Sequence, residues 1–386
     1  MNTVSNSNNN EKGVEVRTHD IPVADAMSEF MKQGWAPSPL SGVNAHPSIP
    51  YTKLRREKLS KQYPGIRLVF PAGSLKIRSN DSDYPFRAHS AFSWFTGIIA
   101  PDAVPDSVFV MEPNTKGHED LLFIHPRSAR DNDEFYKNTR YGEFWVGRRM
   151  SLDETEIKYE LKVRQIESIE QLFADKKESL IIRGEDKKLD SLVTESEDKE
   201  KEFLNFTSLM RLVKDEYEID EMQKAVDASV RGFADMVRVF PAATSVTRGE
   251  RVIESAFYGR ARLEGNDLGY SSIVAAGSHA CVLHWIKNDG DVLPGDLVLI
   301  DAGVEVESHY TADITRTFPV NGKFSEAQRK IYMIVYKAQS AGITAVKPGA
   351  KFKDYHNACM VEIAKGAAEL GVLPVSVEES LKAENG

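Results

Sequence analysis

Two aspartates carry the first chemical signal in this chain of 386 residues. Asp301 follows the apolar run Leu297-Val298-Leu299-Ile300 and precedes Ala302-Gly303, while Asp313 is embedded in Tyr310-Thr311-Ala312 and Ile314-Thr315. A charge among β-forming residues is expensive unless something pairs with it. Side chains alternate faces along a strand, so Leu299 and Asp301 share one face, and Thr311, Asp313 and Thr315 share one face of theirs. If the two segments pair as a hairpin, both carboxylates point the same way. Facing carboxylates repel and share a proton unless a cation lies between them. Hard oxygen donors suit Mn²⁺, Mg²⁺ or Zn²⁺, and one carboxylate can bridge two ions. The plainer reading has Asp301 starting a turn and Asp313 pairing with Arg316 or another base.

The elements around the pair are readable from periodicity. Over 217–240 the apolar residues Ile219, Met222, Val226, Val230, Phe233, Val237 and Phe240 recur at gaps of three and four, which predicts an amphipathic helix ended by Pro241. Thr247 and Glu250 have capping-box spacing and predict a second helix ending near Gly265. Strands follow over 271–275 and 297–300, with a hairpin partner over 309–318. Ser325 and Gln328 open a helix to about 346, Pro348-Gly349 breaks it, and a last helix covers about 353–370. This order describes an α+β layout with helices packed on an antiparallel sheet. Upstream, a short helix over 23–34 and a Pro-rich connector precede an α/β alternation. That alternation has a helix over 54–63, strands over 66–70, 107–111 and 120–124, and an aromatic cluster at 92–95. The charged stretches at 185–188 and 195–202 read as a solvated helix face or linker. The domains expected are a disordered or extended segment over 1–47, an α/β domain over 48–204, and an α+β domain over 205–386.

Composition narrows the function classes. Hydrophobic residues make up 41% and charged residues 28%, as in an ordinary globular protein. The net charge of -9 gives no basic stripe for nucleic acid. No apolar run reaches the length of a membrane span, the N-terminus has no signal-peptide core, and the cytoplasm is the expected location. Cys281 and Cys359 are the two cysteines, too few for a disulfide framework, and read as small buried hydrophobes. The histidines have bland readings. His284 fits a satisfied core position, His279 a loop, His309 a surface turn, and His356 a solvent-facing or capping position.

The ordered set Tyr270-Ser271-Ser272-Ile273-Val274-Ala275-Ala276-Gly277, Cys281-Val282-Leu283-His284, Gly295-Asp296-Leu297-Val298-Leu299-Ile300-Asp301-Ala302-Gly303 and Asp313-Ile314-Thr315-Arg316-Thr317-Phe318-Pro319-Val320 resembles the aminopeptidase P branch of the pita-bread metallopeptidases. The likeness extends to Gly322-Lys323-Phe324-Ser325 and, upstream, to Asp81-Ser82-Asp83-Tyr84-Pro85-Phe86-Arg87 and Phe95-Thr96-Gly97. The resemblance implies a creatinase-like α/β N-terminal domain followed by an α+β pita-bread catalytic domain. It implies that Asp301 and Asp313 are two of five ligands to a pair of divalent ions, usually manganese, with Asp313 bridging. It places Tyr270 beside the metals and His284 against the substrate as a catalytic hydrogen-bond donor. The implied substrate is a peptide with proline second, cleaved after residue one by a homo-oligomeric enzyme. A dipeptide-cleaving prolidase, or a metal-free pita-bread binding module, are the alternatives.

Three departures qualify the resemblance. Eleven residues separate Asp301 and Asp313, one more than is usual, and the turn near Glu307-Ser308-His309 is expected to absorb the extra one. Trp94 stands one position after the branch's usual tryptophan, which falls here at Ser93. The branch's remaining ligands, one His and two Glu, have no match, so the chain is expected to hold roughly the first half of the catalytic domain. On that basis it is expected to be weakly active or inactive alone.

Overall fold

The computed structural model describes residues 23–80 and 82–382; the disorder expected for the first residues falls largely outside that range. The chain divides into two compact units, one reaching to Gln223 and including Glu307–Tyr310, the other comprising Lys224–Val306 and the chain from Thr311 on.

In the first unit, β1 (Arg67–Pro71), β2 (Val108–Asn114), β3 (Gly117–Ile124), β4 (Lys162–Gln165) and β5 (Ser179–Ile181) form one mixed sheet in the order β4-β3-β2-β1-β5. Strand β1 runs antiparallel to β2, with Leu68 opposite Met111, and parallel to β5, with Leu68 opposite Leu180. Both faces are covered. Leu68, Phe70, Phe109 and Leu122 pack with Leu59 of α1 (Ile49–Gln62), Phe92 and Phe95 of α2 (Ser90–Thr96) and Phe203 of α3 (Glu197–Met210). Val69, Val110 and Phe123 pack on the opposite side with Ile169 and Phe173. A sheet buried on both faces reads as unbroken apolar runs, which is why these strands were visible in sequence. Helix α1 starts five residues earlier than periodicity suggests, because Pro50 at its first turn gives up an N–H that has no helical partner anyway. The charged stretch near 200 is the first turn of α3, and Glu200 turns inward to accept from Arg183 Nε at 2.7 Å.

The second unit is built on β6 (Ile273–Ala276), β7 (Leu297–Ala302) and β8 (Ile314–Pro319), an antiparallel sheet with β7 in the centre. Residues from Lys224 onward of α4 (Glu216–Arg238) and the whole of α5 (Gly249–Glu264) cover one face. Along β7 burial alternates as the sequence predicts. Val298, Ile300 and Ala302 point into the core with Ile253 and Phe257, and Leu297, Leu299 and Asp301 lie on the more open face. Beyond Gly303 the chain forms the two-residue strand Val304–Glu305, paired with Asp267–Leu268, and turns back through 307–310, where His309 takes φ +66°. The expected partner strand therefore begins at Ile314 rather than at 309. Helices α6 (Glu326–Ala345) and α7 (Phe352–Glu369) follow. The Ser325–Gln328 capping box forms as predicted, and Gln328 Nε2 also donates to Gly295 O at 2.9 Å.

Helix α4 forms where predicted but does not bury the face its large apolar residues suggest. Ile219, Met222, Val226, Val230 and Val237 are exposed, whereas Ala225, Ala228, Ser229, Phe233 and Met236 are buried. Small residues let the helix backbone approach closely, and Ser229 Oγ accepts from Val304 N at 2.9 Å. Gly232 belongs to this contact, because a Cβ there would lie 2.6 Å from Phe257 Cδ2. Gly232→Ala gains at most about 1 kcal/mol of helix propensity. It overpacks a ring that is fully buried and set edge-to-face against Phe233, which costs about 1–3 kcal/mol. The expected net result is a lower melting temperature, read by thermal denaturation of the variant.

Candidate metal centre

The hairpin register places the aspartates together. Asp301 lies opposite Thr315 and Ala302 opposite Ile314, so Asp313, two residues before Thr315, is on the same side as both. Thr315 Oγ1 donates to Asp301 Oδ2 at 2.7 Å. The Tyr270 hydroxyl lies 2.5 Å from Asp301 Oδ1 and 3.1 Å from Asp313 Oδ1, so one phenolic O–H serves two carboxyl groups. Burial, then the hydrogen bond to Asp301, holds the Tyr270 phenol far above its ordinary pKa and keeps it a donor. Among the described residues neither aspartate has an ion-pair partner. Arg316 is exposed and donates to Thr315 O instead of to Asp313, so the pairing with a base does not occur.

Two oxygen donors converging without a basic neighbour suit part of the shell of a hard divalent ion. Among the described residues no group of three or more His, Cys, Asp or Glu side chains comes together in this way. Thr315 orients one of the two carboxylates. If the pair holds a divalent ion, Thr315→Val is expected to weaken its binding by about tenfold, at the low end for a group supporting a ligand. Isothermal titration of the folded variant checks this.

Residues 220–377 match the family model for metallopeptidase family M24, and residues 52–181 match that for the aminopeptidase P N-terminal domain. "Xaa-Pro aminopeptidase 1" of Streptomyces coelicolor is 45% identical over 363 residues, covering 93% of this chain and 72% of the relative. The chain belongs to the Xaa-Pro aminopeptidases of metallopeptidase family M24. The Escherichia coli Xaa-Pro aminopeptidase is 30% identical, over 84% of this chain and 74% of its own length. The low-pH structure of E. coli aminopeptidase P superposes with a TM-score of 0.74 at 28% identity, covering 88% of this chain and 78% of that one. A Zn-substituted form of the same enzyme in complex with product gives 0.71 at 27% identity, with the same coverage. The aminopeptidase P-like arrangement of an N-terminal domain followed by an M24 catalytic domain is thus the fold of this chain.

Other residues of the chain depart from their sequence readings. His284 is not a core histidine; it is exposed, and no side-chain hydrogen bond ties it to the aspartates among the described residues. His279 is more than a loop residue, since its Nδ1 lies 2.9 Å from Glu250 Oε1. Glu250 does not cap its helix. α5 starts at Gly249 without a side-chain cap, and the carboxylate turns inward to complete burial. Cys281 is exposed, because the short helical turn over Gly277–Cys281 lies outside the core, and Cys359 on α7 is half-buried. His309 is half-buried rather than on the surface, whereas His356 is exposed as expected. Trp94 is buried in the first unit, donating from Nε1 to Glu218 at 2.8 Å with the Arg55 guanidinium 4.4 Å over its ring.

Proposed function

We propose that the chain is a metal-dependent aminopeptidase that releases the N-terminal residue from peptides with proline in second position. Asp301 and Asp313 hold the metal, and Tyr270 and His284 contact the substrate. The observation that carries this reading is the single Tyr270 hydroxyl lying between two carboxyl groups that have no basic partner among the described residues. The relatives' names support the substrate class. We take the metal to be a pair of manganese ions, which when bound polarise the scissile carbonyl and activate water.

The chain's own groups divide the remaining work. Thr315 fixes the rotation of the Asp301 carboxylate. Tyr270 spaces the two aspartates and presents its phenol edge to the bound peptide. The exposed His284 imidazole donates an N–H to the carbonyl oxygen as charge develops on it. We assign the described residues from Lys224 onward to about the first half of the catalytic domain, so the two aspartates are members of a larger ligand set. This is in keeping with the 72% share of the relative's length that the chain spans. Turnover by this chain alone is then weak, and its location is cytoplasmic. Assaying the chain with Mn²⁺ against a proline-second peptide and against a dipeptide of the Xaa-Pro type tests the assignment. Release of the first residue from the longer peptide supports it. Cleavage confined to the dipeptide replaces it with a prolidase.

A further inference from the structure

Among the described residues, Glu250 is a fully buried carboxylate of the second unit that the site as described leaves unused. It accepts from four donors. Oε1 takes Ala276 N at 2.8 Å and is 2.9 Å from His279 Nδ1, and Oε2 takes Trp285 Nε1 at 2.8 Å and Gly290 N at 2.7 Å. Those donors are the end of β6, the short turn after it, the middle of the following loop, and its far stem. One carboxylate on α5 therefore staples a fourteen-residue segment, 277–290, at both ends and at its centre. The His279 and Trp285 rings stack with centroids 3.8 Å apart and an interplanar angle of 23°, closing the segment on itself. Asn288 adds a second pin. Its Oδ1 accepts from Val274 N and its Nδ2 donates to Ser272 O, both at 2.9 Å, so its side chain imitates a strand along the edge of β6.

His284 sits in this segment immediately before Trp285, at a tight turn in which Ile286 N donates to His284 O at 3.0 Å. Its own side chain is exposed, with no side-chain hydrogen bond among the described residues. Its direction is set by its neighbours, and the nearest of those is clamped by Glu250. We infer that Glu250 is a positioning residue that fixes the 277–290 segment, through Trp285 and His279, so that His284 is presented to the peptide. The inference rests on the reading of His284 as a peptide-contacting group.

Glu250→Gln keeps the shape but replaces one acceptor oxygen with a donor NH₂. That group must then face either Ala276 N and His279 or Trp285 Nε1 and Gly290 N, and one stem is released. Trp285→Phe is milder, keeping the carboxylate and the ring stack while deleting one donor. The test uses the Mn²⁺-loaded chain and alanyl-prolyl-alanine as probe, with two readouts. In hydrogen exchange, Glu250→Gln speeds exchange over 277–290 and leaves β7 protected; unchanged exchange over 277–290 overturns the proposal. In titration calorimetry, His284→Ala weakens peptide binding by about tenfold, the worth of one lost hydrogen bond. Glu250→Gln weakens it by about fivefold, and the double variant binds no worse than His284→Ala. Full additivity in the double variant means Glu250 acts on something other than His284 and overturns the proposal. Peptide binding by His284→Ala equal to wild type, or none by wild type, removes the His284 reading instead, and with it the role assigned here. Trp285→Phe moves both readouts in the same direction by less, which guards against a Glu250→Gln protein that fails to fold.

Discussion

Asp313→Asn is expected to abolish measurable Mn²⁺ binding by the chain and to lower whatever turnover it has by more than about a hundredfold. The asparagine keeps size and one oxygen but loses the charge that makes the group a ligand for a hard cation. Groups that merely support a ligand cost about 10–100-fold when removed, so loss of a ligand lies beyond that range. Stability should hardly change. Asp313 is exposed, and its side-chain hydrogen bond with Tyr270 is the longer of the two that the phenol makes. That separation makes the result diagnostic. An Asp313→Asn protein that melts like wild type yet binds no Mn²⁺ in calorimetry supports the metal assignment, whereas undiminished binding excludes Asp313 from it.

Gly303→Ala should do the reverse, damaging structure first and the site as a result. A Cβ at this position would lie 1.5 Å from Ala312 O, 2.5 Å from Ala312 C and 3.3 Å from Asp313 N. The obstacle is backbone, so no side chain can swing away. Gly303 cannot retreat either, because its carbonyl accepts from Gly269 N at 2.8 Å and its neighbour Val304 pairs with Ala312. Relief requires moving 312–313, which carries Asp313 away from Tyr270. Overpacking of this kind costs about 3 kcal/mol or more, and Mn²⁺ affinity should fall by about a hundredfold, as for other losses of ligand geometry. Gly259→Ala is the matched control, since nothing lies within 4 Å of its added Cβ on α5. It should melt at or above the wild-type temperature. A Gly303→Ala chain that melts with that control would show that the two segments have more room than the geometry implies.

How much of this was legible beforehand depends on which residues carry hydropathy. Strand β7 announced itself because Val298, Ile300 and Ala302 are apolar and Asp301 falls on the alternate face. The start of α6 announced itself because Ser325 and Gln328 satisfy each other locally. The buried face of α4 did not, since Ala225, Ala228, Ser229 and Gly232 say little by hydropathy while the exposed Ile219 and Val230 say much. The approach of a helix to a sheet is decided by size, which periodicity does not weigh. Glu250 was misread because Thr247 three residues earlier imitates a cap, and its real partners are 26 to 40 positions away. Tyr270 had no signal of its own. Only its resemblance to a family pattern singled it out, and its hydroxyl contacts depend on a register that one residue of slip would have reversed.

The amide of Gln328 faces two ways. Its oxygen closes the cap of α6 on Ser325 N, and its nitrogen grips Gly295 O at the threshold of β7, two residues before Leu297. A helix that follows the aspartate strand thus reaches back and holds the strand's point of entry. At most helix starts, glutamine and glutamate are interchangeable. At this one the acid would preserve the cap and drop the strand, so an apparently conservative exchange in a helix would be felt at Asp301.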